Sequence, residues 1–272
     1  AVERRELFLQ YQPIVSLGTG SLRGFEALVR WQHPERGVIP PAKFIPIAEE
    51  TGLILQIGKW VLDEACRQTS RWQKLFPQDA PLQISINLSG KQFLQPDLLE
   101  QVQEVLRETG LDPRSLKLEI TETVVMENIE TATRNLEQLR TLGVELSIDD
   151  FGTGYSSLSY LQRFPASTLK IDRSFVSRIA ESDGSAEIVR TIMKLAQHLG
   201  MDVVAEGVET EQQSAQLRAM GCELGQGFYY SRPMDRDAAE ALFLSRLPET
   251  GFQPLDVNCG HTWAADVATA VS

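Results

Sequence analysis

Val144-Glu145-Leu146-Ser147-Ile148-Asp149-Asp150-Phe151-Gly152 decides how the rest of the chain is read. Apolar and polar residues alternate through it with the period of a strand, so one face is aliphatic and the other carries Glu145, Ser147 and Asp149. The same pattern recurs upstream and downstream. Leu116, Leu118 and Ile120 oppose Lys117, Glu119 and Thr121; Ile84, Ile86 and Leu88 oppose Ser85, Asn87 and Ser89; Leu169 and Ile171 oppose Lys170 and Asp172.

Eight such runs are expected as strands, near Leu7–Leu17, Leu22–Gln32, Leu82–Ser89, Leu116–Thr123, Val144–Gly152, Thr168–Phe175, Asp202–Val208 and Leu224–Tyr230. Only Gly18-Thr19-Gly20-Ser21 joins the first two, too short for a parallel crossover, so they should pair antiparallel. Helical patterns fill the other gaps: Pro41–Glu50, Ile57–Phe76, Pro96–Thr109, Ile129–Leu142, Ser156–Phe164, Ser185–Leu199, Glu211–Met220 and Asp235–Leu244. Gly110, Gly143, Gly200 and Gly221 sit where left-handed caps end helices. Strands alternating with helices over about 250 residues predict an α/β fold, a TIM-like (β/α)8 barrel with an antiparallel first strand. A doubly wound open sheet is the runner-up. The barrel is expected over 1–247, with a peripheral or disordered C-terminal tail over 248–272.

Composition narrows the function. The 272 residues carry 26 basic and 37 acidic side chains, a formal charge of −11, with 42% hydrophobic and 23% charged residues. That is globular composition, and its acidity argues against a nucleic-acid polymer as partner. No apolar run reaches the 18 to 20 or so residues of a membrane span, and the N-terminus lacks a signal-peptide core, so no membrane contact is expected of this piece. Cys66, Cys222 and Cys259 lack zinc spacing, and His33, His198 and His261 form no metal-binding pair. Cytoplasmic thiols are the simplest reading of the cysteines. Phe44, Trp60, Trp72 and Phe93 read as core, and His33 as an exposed loop residue.

The helices need the aliphatic faces, so the polar faces should point into the barrel. Lys117 and Glu145 would pair near its closed end. Glu26, Asn87, Glu119, Asp149, Asp150, Lys170, Glu206 and Gln226 fall at carboxyl ends of strands, where barrel enzymes carry their sites. Carboxylates and amide oxygens without histidine suit Mg²⁺ or Mn²⁺, and five acids are more than one ion needs. Two ions sharing Asp149 would fit phosphoester chemistry. Adjacent Asp149 and Asp150 reach one site only if the strand relaxes at Asp150, which Gly152-Thr153-Gly154 favours.

Those segments resemble the EAL domain family. The matching residues are Tyr11-Gln12-Pro13-Ile14, Glu26-Ala27-Leu28-Val29-Arg30-Trp31, Ile86-Asn87-Leu88-Ser89 and Glu119-Ile120-Thr121-Glu122. They continue with Asp149-Asp150-Phe151-Gly152-Thr153-Gly154-Tyr155-Ser156, Leu169-Lys170-Ile171-Asp172, Ala205-Glu206-Gly207-Val208-Glu209 and Gly225-Gln226-Gly227. The resemblance implies a metal-dependent phosphodiesterase that opens cyclic di-GMP to linear 5′-pGpG. It gives Glu26, Asn87, Glu119 and Asp149 to one metal, and Asp149, Asp150 and Glu206 to a second, with Gln226 assisting. Catalysis would fall to Lys170, Glu206 and Asp149. Lys170 would orient or deprotonate the attacking water, with Glu206 the other candidate base. Leu28, Arg30, Asp172 and Glu209 would bind substrate, and Glu122 would anchor the loop after the fifth strand. Ca²⁺ would bind and inhibit. A homodimer and upstream sensory or GGDEF-type domains are implied as well. Two other readings stand beside this one: a catalytically silent cyclic di-GMP receptor, and a phosphodiesterase for another small nucleotide.

Overall fold

The computed structural model describes residues 1–77, 80–127, 129–153, 161, 164–180 and 183–245. Within them the chain runs β1 (Leu7–Ser16), β2 (Leu22–His33), β3 (Gly37–Ile39), α1 (Pro41–Thr51), α2 (Ile54–Leu75), β4 (Gln83–Asn87), α3 (Gly90–Phe93), α4 (Leu98–Thr109) and β5 (Leu116–Thr121). It continues α5 (Glu122–Glu127), α6 (Ile129–Thr141), β6 (Glu145–Phe151), β7 (Thr168–Ile171), α7 (Arg173–Val176), α8 (Asp183–Leu199), β8 (Asp202–Ala205), α9 (Glu211–Ala219), β9 (Leu224–Gly225) and α10 (Arg236–Ser245). The helix expected over Ser156–Phe164 lies outside the described residues except for Leu161 and Phe164, as do the tail 248–272, Cys259 and His261.

Eight strands close a barrel in the order β1-β9-β8-β7-β6-β5-β4-β2 and back to β1. β1 is antiparallel to both neighbours, β2 and β9; the other pairs in the ring are parallel. The five-residue link after β1, Leu17–Ser21, dictates the first of these pairings, because it leaves no room for a crossover. The eight-strand expectation is corrected by one: β3 adds a ninth strand outside the ring, where Trp31, Gln32 and His33 pair with Ile39, Val38 and Gly37. His33 therefore ends a strand, its ring edge-on to Trp31.

The aliphatic faces of the strands meet the helices. Leu116 and Leu118 are fully buried, Ile120 2% exposed, and they join a cluster with Val102, Val105 and Leu106 of α4 and Ala65 and Trp72 of α2. A second cluster packs Ile148, Leu169 and Ile171 beneath Val189 and Ala196 of α8 and Leu217 of α9. Burying each large side chain contributes roughly 1.5–3 kcal/mol, which favours this orientation of the faces. Phe44, Trp72 and Phe93 are buried, and Trp60 packs half-exposed against the first cluster. Gly110, Gly143, Gly200 and Gly221 all take positive φ, 67°, 94°, 69° and 88°, ending α4, α6, α8 and α9.

Several strands stop earlier than their apolar patterns. β7 ends at Ile171 because Asp172 caps α7: its Oδ1 accepts the Ser174 N–H at 3.0 Å. Thr121 ends β5 and Glu122 opens α5, while β8 ends at Ala205 and β9 at Gly225. These early stops place the polar residues just beyond them at the open rim.

Candidate active site

The inward faces converge on Lys170. Its Nζ lies 2.5 Å from Glu119 Oε2, 2.5 Å from Glu206 Oε1, 3.5 Å from Asp149 Oδ1 and 3.6 Å from Glu26 Oε2. The ion pair with Asp149 is thus one of four, and Asp172 instead caps α7. Burial alone pulls the Lys170 pKa down, but Glu119, Glu206, Glu26 and Asp149 outweigh it and hold the ammonium well above its usual range.

Around that cation the carboxylates differ. Burial pushes Glu119 up to about 7, with Lys170 opposing and Glu26 and Asp149 adding to the rise. Burial also drives Glu206 well above the carboxylate range against the pull of Lys170. Glu26 goes the other way: burial opposes ionisation, yet Lys170 and hydrogen bonds from Gln226 and Asn87 hold its pKa down. Asn87 Nδ2 donates to Glu26 Oε1 at 2.6 Å, and Gln226 Nε2 donates to Glu26 Oε2 at 2.7 Å and Gln12 Oε1 at 3.0 Å.

Between β6 and β7 the register slips. Ile148 faces Leu169 and Phe151 faces Ile171, so Asp149 and Asp150 together oppose Lys170. This is a β-bulge, and Asp150 accommodates it at φ +53°, a left-handed conformation that aspartate tolerates better than most residues. One carboxylate oxygen each from Asp149, Asp150 and Glu206 then lie within 4.8 Å of one another. Burial, then the neighbouring Asp149, raises the Asp150 pKa. The next turn is tied down as well: Gly152 N–H donates to Glu122 Oε2 at 3.1 Å, and Glu122 is 3% exposed.

At the rim, half-buried Arg30 donates through Nε to Gln10 Oε1 at 2.8 Å and through Nη1 to the Val29 carbonyl at 2.9 Å. Leu28 is half-exposed opposite Gln10, and Glu209 is exposed before α9. At the other end of the barrel Lys117 Nζ reaches Glu145 Oε2 at 3.5 Å and Thr168 Oγ1 at 2.8 Å. Gln226 sits beside Glu26 and Gln12, to both of which its Nε2 donates. Gln10 carried no expectation from the sequence, and Gln12 stood only within the matching segment Tyr11-Gln12-Pro13-Ile14, without a role; the signal for both was the alternation of glutamine with Leu9 and Tyr11 along β1.

The donor set fits hard cations. Four carboxylates surround one buried ammonium and a fifth, Asp150, stands beside two of them; among the described residues no thiol or imidazole joins the cluster. Gln226 Oε1 is buried and has no hydrogen-bond partner among the described residues, leaving one amide oxygen uncommitted. Oxygen ligands and excess negative charge suit Mg²⁺ or a similar ion.

A family model for the EAL domain matches residues 1–233. The chain belongs to the EAL domain family. It is 50% identical over 234 residues to the bifunctional diguanylate cyclase/cyclic di-GMP phosphodiesterase MucR of Pseudomonas aeruginosa, covering 86% of this chain and 34% of that one. It is 46% identical over 240 residues to the cyclic di-GMP phosphodiesterase NbdA of the same organism, covering 88% of this chain and 30% of that one. This EAL domain thus spans about a third of the length of the curated relatives it matches. Among solved structures, the PaMucR phosphodiesterase in complex with c-di-GMP superposes with a TM-score of 0.84 at 48% identity, over 88% of this chain and 96% of that one. EAL domains are TIM-like barrels, the fold found here, and EAL phosphodiesterases depend on metal.

Proposed function

We propose that this EAL domain is a cyclic di-GMP phosphodiesterase that opens one phosphodiester and releases linear 5′-pGpG. The observation that carries the reading is the convergence of Glu26, Glu119, Asp149 and Glu206 on Lys170 at the rim end of the barrel. Glu26, Asn87, Glu119 and Asp149 would hold one divalent cation, and Asp149, Asp150 and Glu206 a second, with Gln226 assisting the second through its uncommitted amide oxygen. When bound, Mg²⁺ or Mn²⁺ supplies Lewis-acid stabilisation of phosphate charge and acidifies water.

The side chains do the rest. Lys170, kept as an ammonium by its carboxylates, donates hydrogen bonds that orient the attacking water; its raised pKa favours this over a role as base. Glu206 is partly open to the rim and has a raised pKa; it accepts the water's proton as the oxygen bonds to phosphorus, the P–O3′ bond opens with its electron pair to O3′, which takes a proton from solvent, and Glu206 returns its own to solvent. Arg30, pre-aimed by Gln10, donates to a phosphate oxygen. Leu28 lies against the substrate, and Asp172 (through Oδ2) and Glu209 offer acceptors at the rim. Glu122 fixes the Asp150–Thr153 turn through Gly152.

Ca²⁺ is proposed to bind and inhibit, since its looser coordination misplaces the water. A homodimer, regulatory domains elsewhere in a longer parent protein, and a cytoplasmic setting complete the proposal; the size of the relatives supports the second. Among the described residues, no helix is long and apolar enough to cross a membrane.

The test is chromatographic. Purified protein with cyclic di-GMP and Mg²⁺ or Mn²⁺ should yield pGpG, abolished by EDTA and by Glu26→Ala. Saturable binding without product would establish a receptor instead.

A further inference from the structure

The three most crowded carboxylates come from two different strand ends: Asp149 and Asp150 from β6, Glu206 from just beyond β8. Between those strands, at the end of β7, stands the four-residue helix α7, and it meets both neighbours at glycines. The Phe175 ring fills the space beside Gly152, with Cε2 and Cζ 3.0 and 3.1 Å from where a β-carbon would stand. On the other flank Arg173 occupies the equivalent space beside Gly207. Both glycines have positive φ, 93° and 65°. Gly152 is gripped from a third side by Glu122 and touched by Ile192. The helix itself is fixed by the Asp172 cap at one end and fully buried Val176 at the other.

A part that contacts the turns on both sides, and is rigidly seated, sets their separation. We propose that α7 is a spacer, with Phe175 and Arg173 as positioning residues that hold the Asp149–Asp150 pair at a fixed distance from Glu206 and thereby tune cation affinity there. This rests on the metal-dependent reading above. Neither side chain is assigned to substrate or metal; both act through the glycines they press on.

Calorimetric Mn²⁺ titration and thermal melts on four proteins test it: wild type, Phe175→Ala, Phe175→Leu and Val102→Ala. Phe175→Ala should weaken the weaker Mn²⁺ site by about tenfold or more, the loss usual for outer supports of metal ligands. Phe175→Leu should recover most of that affinity, because it refills the space beside Gly152. Val102→Ala should lower the melting temperature and leave Mn²⁺ affinity within about twofold, since its cavity opens in the other core cluster, away from α7. In turnover, Phe175→Ala should reduce kcat more than it raises KM. Wild-type affinity in Phe175→Ala would overturn the spacer, as would an equal loss in Val102→Ala. Wild type that binds Mn²⁺ yet forms no pGpG would sink the catalytic reading, while the Phe175 titration still decides this one.

Discussion

The Lys170 ammonium lies 2.5 Å from the Glu119 carboxylate two strands round the barrel, each side chain about 1% exposed. A charge pair that deep is stable only because each partner needs the other. Lys170→Met should therefore leave several carboxylates buried without their cation. The metal-free variant should unfold more easily by about 3–5 kcal/mol, read from denaturant melts. Added Mg²⁺ should restore much of that stability but not turnover. Recovery of turnover with metal would remove Lys170 from the chemistry.

The same burial makes stability depend on pH. Glu119 rises from 4.5 to about 7 in the folded state, and Glu206 rises too. Raised carboxylates bind protons more tightly folded than unfolded, so stability is greatest at or below pH 4.5 on their account and falls as pH climbs through 7. Glu119 alone would cost up to about 3 kcal/mol across that window. Glu26, whose pKa is lowered, acts oppositely but only below 4.5. Melting temperature in EDTA should thus decline between pH 5 and 7.5, and saturating Mn²⁺ should flatten the decline by displacing the protons. An equal slope with and without Mn²⁺ would contradict the assignment of these groups to metal.

Glu122 offers a cleaner separation of fold from function. Its carboxylate takes the Gly152 N–H at 3.1 Å. Glu122→Ala should cut kcat by about 10- to 100-fold, the range for outer supports of metal ligands, with a smaller relative loss of stability. Glu122→Gln keeps an acceptor oxygen and should retain more activity. Unchanged turnover in Glu122→Ala would dismiss the anchor.

Arg30 should behave as a binding residue. Arg30→Lys loses the planar donor fork held by Gln10, so KM for cyclic di-GMP should rise by about tenfold with kcat little altered. A fall in kcat at constant KM would place Arg30 in the chemical step instead.

Metal identity is the last test. Exchange of Mg²⁺ for Ca²⁺ should preserve thermal stabilisation while pGpG formation drops by more than about tenfold, because the larger ion tolerates irregular ligand geometry. Equal turnover with both ions would refute the geometric argument.

The barrel was legible because its strands announce themselves twice, by their own alternation and by the helical pattern after most of them. Leu116 through Thr121 could only bury its leucines against helices, and five residues between β1 and β2 allowed only a hairpin. The convergence of Glu26, Glu119, Asp149, Lys170 and Glu206 came from the same alternation once the strands were placed side by side. The need for a relaxed backbone at Asp150 was visible too, in two adjacent aspartates ahead of a glycine; the two-against-one pairing with Lys170 was not. Short-range pattern failed where an apolar run outlasts its strand. Phe175 looks like the end of β7, yet the Asp172 side chain captures the Ser174 N–H and turns the chain into a helix. Gly37-Val38-Ile39 is too short for periodicity to speak. Gln10 and Gln12 are uncharged, and nothing local in the sequence pairs Gln10 with Arg30 or Gln12 with Gln226.

The position of β1 has a consequence for how the protein is made. Its partners are β2, its neighbour in sequence, and β9, met only through Val15–Gly225 and Ser16–Leu224 and reinforced where Tyr11 bridges Met234. The seam that turns a curved sheet into a ring is thus sealed by residues among the last of the barrel to leave the ribosome, and Gln226 must cross 200 positions to reach Glu26. Contacts that distant form late and slowly. Until then the nascent chain holds its acids on an unclosed sheet with bare edges at β1 and β8, open to mispairing with other chains. A messenger truncated ahead of Leu224 would encode nearly every acid of the site and still yield neither a ring nor an enzyme.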